Sequence, residues 1–156
     1  MSGVDDLGPD ERAAQAAARS AFARGPEARA GIEPGRPVLV HDLNGAPSYR
    51  LVPGLDGGAI VAVARVLPGG ALATLAWLPS AASSPEAVVT GLDAEGAHAT
   101  ARALAAREPG ARVSEPVLVH DGPVGREAWR ITVTSPAGRR DVFATGGGTY
   151  ERDAEA

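Results

Sequence analysis

Apolar positions along the chain follow two different periods. In residues 11–25, ERAAQAAARSAFARG, small apolar residues recur at helical spacing behind Pro9, Asp10 and Glu11, which suit a first helical turn, and Gly25-Pro26 supplies a stop. Leu92-Asp93-Ala94-Glu95 opens a second such stretch, AHATARALAAREPG. Asp93 is placed to cap it, Ala97, Ala101 and Leu104 form its apolar stripe, and Pro109-Gly110 ends it. Elsewhere the period shortens to that of strands: VLV is β-branched and apolar, YRLV and WRITV alternate, AIVAVARV reads as a buried run, and DVFAT alternates again. Turn signals separate these segments at Asn44-Gly45, Asp56-Gly57-Gly58, Pro68-Gly69-Gly70, Pro136-Ala137-Gly138 and Gly146-Gly147-Gly148.

One hexapeptide occurs twice. PVLVHD fills residues 37–42 and again 116–121, and each copy leads through a turn into an aromatic-Arg-aliphatic step, Tyr49-Arg50-Leu51 and Trp129-Arg130-Ile131. Each copy also follows one helix. A spacing of about 80 residues exceeds the period of solenoid repeats, so the pattern predicts a duplicated α+β unit rather than an array. The expected fold is two repeated units, residues 1–80 and 81–156, each a helix packed on an antiparallel β-sheet of three to four strands. The Ser/Pro-rich stretch Pro79 to Pro85 joins them, and the two units stand apart or form one pseudo-symmetric domain. The Pro-free run AIVAVARV, or the strand at Asp141–Thr145 if that run is central, is the expected open edge.

Composition narrows the chemistry. With 156 residues, 44% apolar but only 4% aromatic, the core must be built from small side chains. A net charge of −4, with no basic stripe, argues against nucleic acid. No apolar run reaches the length of a membrane span, and the acidic start MSGVDDLGPDER lacks the basic region of a signal peptide, so a cytoplasmic protein is expected. The absence of Cys excludes disulfides, thiolate nucleophiles and Cys-ligated metals, and the absence of Lys excludes a Schiff base and a Walker A lysine. No common catalytic motif is present, and no cofactor is expected.

The second half carries Leu92-Asp93-Ala94-Glu95, then PVLVHDG, EAWRITV and DVFATGGGTYE. Over residues 90–152 this order resembles the PepSY-like, cystatin-like family, whose unit is a helix on an antiparallel sheet. The stretch YRLVPGLDGGAIVAVARV in the first half resembles the prosegments of streptopain-type cysteine proteases. The resemblance implies a binding role without catalysis, as protease prosegment or inhibitor, with a peptide or protein partner; an accessory of a peptide pathway, binding a precursor peptide, is a separate reading.

The duplication singles out His41, Asp42, His120 and Asp121. If the strand ends converge, two imidazoles and two carboxylates suit a divalent metal or a small-molecule enzyme site between the repeats. Against this, neighbouring side chains in a strand point to opposite faces, and an Asp before Asn-Gly or Gly-Pro is ordinary turn chemistry. No bound metal is therefore expected. Tyr49 and Trp129 would line a groove or, in a core this poor in rings, fill space beside Trp77 and Phe143. Arg50 and Arg130 would form an anion-binding pair or a solvated strand face. His98 lies beside the apolar stripe of the second helix as a hydrogen-bonded surface histidine, and the Gly146–Gly148 triplet suits a tight hairpin better than a phosphate cradle.

Overall fold

The computed structural model describes residues 7–24, 27 and 31–152. Among these the chain forms three helices and ten strands. Helix α1 spans Pro9–Phe22, and strands β1 (Glu33–Pro34), β2 (Val38–His41), β3 (Pro47–Asp56), β4 (Ala59–Val66) and β5 (Leu72–Ala82) follow. Then come α2 (Pro85–Thr90), α3 (Ala94–Arg107), β6 (Arg112–Val113), β7 (Val117–His120), β8 (Glu127–Ser135), β9 (Gly138–Thr145) and β10 (Gly148–Glu151). No helix of the described residues is long and apolar enough to cross a membrane.

The fold class differs from the expectation of two repeated units with separate sheets. The strands form one ten-stranded mixed sheet in the order β10-β9-β8-β7-β2-β3-β4-β5, with β1 beside β3 and β6 beside β8. Both copies of VLVH are strands, and they pair in parallel, with His41 opposite Val119. Separate sheets would leave two short, uncharged apolar strands as edges, each with a row of unused N–H and C=O groups. The parallel pairing removes both edges. Because the open edges are then β5 and β10, neither AIVAVARV (β4, between β3 and β5) nor Asp141–Thr145 (in β9, between β8 and β10) is an edge.

By compactness the chain divides into Met1–Val40 with Pro47–Pro85, and His41–Ala46 with Glu86–Ala156. In the first unit, Pro9 and the acids Asp10 and Glu11 start α1, and Ala14, Ala18, Ala21 and Phe22 are its buried face. The predicted stop at Gly25-Pro26 lies outside the described residues. Strand alternation puts Val52, Ala62, Ala64 and Val66 on the face that meets Ala14, Ala18 and Phe22. Alanine on both sides lets helix and sheet approach closely. The Phe22 ring fills the space where Gly54 lacks a side chain, since a Cβ there would lie 3.1 Å from Cζ of Phe22. Trp77 of β5 meets the same ring edge to face, with centroids 6.2 Å apart.

In the second unit, the Asp93 carboxylate accepts the Gly96 N–H at 2.7 Å and caps α3, whose buried residues are Ala97, Ala101 and Leu104. Helix α3 packs on β6, β8 and β9. A separate small cluster, Val119, Ala128 and Phe143, is joined by Val117 and by Leu43 of the segment His41–Ala46. Where the sequence pattern placed a linker, Pro79 to Pro85, β5 runs on to Ala82 and the six-residue α2 begins at Pro85. At the end of α2, Thr90 O accepts the Gly146 N–H at 2.8 Å, which holds the β9–β10 turn directly against Gly91.

Candidate functional site

The two His-Asp dipeptides perform different jobs. Asp42 Oδ1 accepts the N–H groups of Asn44 and Ala46, both at 2.9 Å, and the Asp42 N–H donates to Ala46 O, so this carboxylate closes the β2–β3 turn. Asp121 is 4% exposed. Its Oδ2 accepts the Tyr150 hydroxyl at 2.9 Å, its Oδ1 pairs with Arg152 Nη1, and Arg126 Nη2 stands 3.7 Å from Oδ2. The histidines turn to backbone: His41 Nδ1 lies 3.4 Å from Leu118 O, and His120 Nδ1 lies 2.8 Å from Gly122 O. Among the described residues no three of His, Asp and Glu gather in a way that would hold a metal ion.

The Tyr150–Asp121 contact has an electrostatic signature. Partial burial first, then donation to the Asp121 carboxylate and the charge of that carboxylate, push the Tyr150 phenol from 10 up to about 12, while Arg126 and Arg152 pull it partly back. The folded state thus holds this proton more tightly than the unfolded chain. The resulting stabilisation is complete below about pH 10 and is lost as the pH rises from 10 towards 12. An absorbance titration of tyrosinate should show a component near pH 12 that Tyr150→Phe removes, and the variant should lose less stability than the parent across that interval.

Removing each aspartate separates the two roles. Asp42→Ala should cost about 1 kcal/mol, the net worth of partly solvated turn hydrogen bonds. Asp121→Ala should cost about 2–3 kcal/mol, less than the loss of one partner of a fully buried pair, because the Arg126 and Arg152 side chains are 67% and 40% exposed and water takes up part of the loss. Urea denaturation of the two variants measures the difference, and equal losses would contradict it.

The aromatic-Arg steps are structural. Tyr49 is 1% exposed, and Trp129, 7% exposed, donates its indole N–H to Leu92 O at 3.0 Å. Arg130 Nη1 donates to Leu43 O at 2.9 Å, and Arg50 lies in β3 opposite Val66. His98 Nδ1 stands 3.4 Å from Glu115 Oε2 at the surface. A shallow depression at the tip of β8–β9 is lined by Val133, Ser135, Arg139 and Arg140. Arg140 is already committed there: it pairs with Glu108, and its Nε stands 2.9 Å from Glu151, close enough for attraction although that N–H is not aligned on the oxygen.

The two sheet edges remain. Strand β10 is four residues long and carries the charge of Glu151, and Tyr150 is held by stacking on Phe143 at 5.4 Å. Short length and charge are the usual means by which an edge is blunted. Strand β5 is eleven residues long, LATLAWLPSAA, and largely exposed. No ionisable residue stands between Arg65 and Glu86; Pro79 and two register shifts against β4, at Ala73 and between Trp77 and Ala82, interrupt the strand and leave Thr74–Trp77 as its regular stretch. Among the described residues no strand pairs with its outer side. Sequence reasoning missed β5 because Pro79 and the following serines read as a connection, yet Leu-Ala-Thr-Leu-Ala-Trp-Leu after the Pro68-Gly69-Gly70 turn was its signal. No family model, curated protein or solved structure matches the chain.

Proposed function

We propose that the protein is a non-catalytic binding module that takes an extended segment of a polypeptide partner along the outer side of β5. The uncharged edge, regular over Thr74–Trp77 and with no strand on its outer side among the described residues, carries this reading. Main-chain hydrogen bonds supply the affinity in strand addition, and alternate side chains supply the selectivity. The PepSY-like resemblance of the second half supports a peptide or protein partner, whether the role is that of a prosegment, an inhibitor or a biosynthetic accessory.

Peptides selected from a displayed library against the full chain test this directly. Bound peptides should slow hydrogen exchange over Leu72–Leu78, and Ala76→Lys, which sets a charge on the edge, should weaken binding about tenfold or more. N-methylating a selected peptide at one alternate set of residues should abolish binding, whereas methylating the other set should change it little. Peptides that protect a different surface, or indifference to both methylation patterns, would overturn the proposal.

A further inference from the structure

We infer that, without its partner, the protein masks β5 by pairing it with β5 of a second copy in antiparallel fashion about a twofold axis at Ala76. The masking role rests on the binding reading above, whereas the pairing itself stands on the strand. Leu72–Leu78 is a seven-residue segment with no charge, no Pro and no Gly, apolar but for Thr74, with Thr74 and Trp77 as its β-forming residues, and it lies on an open edge. An exposed, uncharged apolar edge is a template for pairing with another chain.

The edge restricts its occupant. An incoming strand that brought a charge would set it against an uncharged tract, and on the α1 side it must lie beside Leu75 and Trp77, which pack against the α1 core. A second β5 meets both conditions. With Ala76 opposite Ala76 of the other copy, Leu75 of each copy faces Trp77 of the other, an aliphatic-aromatic cross-strand pair of a favourable kind. Pro79 then falls opposite Ala73, beyond the five central residues, so it bounds the pairing without interrupting it. A twofold arrangement uses up the β5 edge of both copies and closes, so β5 pairing does not grow into a fibre. The segment's limits fit this: Pro68-Gly69-Gly70 on one side and Pro79 on the other keep the self-pairing tract short.

A partner that adds to β5 must then displace the second copy. Sedimentation of the full chain should show a mass rising with concentration from 15.7 kDa towards twice that value, and Ala76→Lys should hold it at the single-chain mass. Since the chain has no cysteine, Ala76→Cys provides an independent reading that does not depend on a charged variant folding well. Opposed residues of an antiparallel pair have Cα atoms about 4.5–5.5 Å apart, within disulfide reach, so this variant should oxidise to a covalent dimer and return to one chain on reduction. Ala105→Cys on α3 should not. A library-selected peptide should convert the doubled mass back to the single one. A constant single-chain mass with no crosslinking at residue 76 overturns the inference, as does a dimer indifferent to Ala76→Lys and uncrosslinked by Ala76→Cys. If the chain stays single while a peptide still protects β5, the self-pairing fails and the binding reading stands. If β5 pairs with itself and no peptide displaces it, the binding reading fails instead.

Discussion

Phe22→Ala is expected to destabilise the protein by about 3–5 kcal/mol, the range for removing a large buried ring without full collapse of the site. The ring is 1% exposed and sits among Ala18, Ile32, Val52 and Trp77, most of them small or β-branched and poorly able to close the gap. For a chain of this size the loss should lower Tm by roughly 10 °C. Phe22→Leu keeps most of the volume and should cost about 1–2 kcal/mol. The ring and Gly54 should also be coupled. Gly54→Ala meets Phe22 Cζ at 3.1 Å in the parent, so its effect should be milder once the ring is gone. Calorimetry of the two single variants and the double variant measures this, and strict additivity would show that Gly54 does not serve the ring.

Gly91→Ala is expected to be the most damaging of the glycine substitutions at positive φ, at about 3–4 kcal/mol. Two effects combine there. Gly91 has φ +81°, where a side chain costs roughly 1–2 kcal/mol. A Cβ would also stand 2.9 Å from Gly146 Cα and 3.0 Å from Gly146 N, and backbone cannot swing aside as a flexible side chain would. Gly110 is the control, since its φ is +79° but nothing lies within 4 Å of an added Cβ. Gly110→Ala should therefore cost only about 1–2 kcal/mol. The difference between the two unfolding energies isolates the close approach of α2 to the β9–β10 turn, and equal values would refute it.

What could be read from the chain was whatever is settled locally. Helix α3 was legible because Asp93 caps it and Ala97, Ala101 and Leu104 recur on one face. The turn role of Asp42 was legible because its acceptors' partners, Asn44 and Ala46, are two and four residues away. Asp121 has the same five residues before it, yet its partners Tyr150 and Arg152 are 29 and 31 residues distant, beyond any local pattern. The single mixed sheet had no local sign either. Parallel pairing of β2 with β7 joins His41 to Val119 across half of the sequence, and a hydrophobic alternation says which face of a strand is buried but not which strand lies beside it. Helix α2, at six residues, is too short to display a period.

The assignment of His41–Ala46 to the second compact unit bears on the order in which the molecule is made. Residues on either side of this segment, up to Val40 and from Pro47, belong to the first unit, whose helix and strands β3, β4 and β5 are all complete by Ala82. A chain leaving the ribosome can close that core while the segment still lacks its neighbours. Leu43 then waits for Val119, Ala128 and Phe143, and its carbonyl waits for Arg130, 87 residues downstream. Loop closure over that distance is slow and comes late. Until those strands are made, Leu43 has no apolar cluster to join and its carbonyl has no guanidinium to accept from, so the β2–β3 turn is completed only by residues from the far half of the sequence.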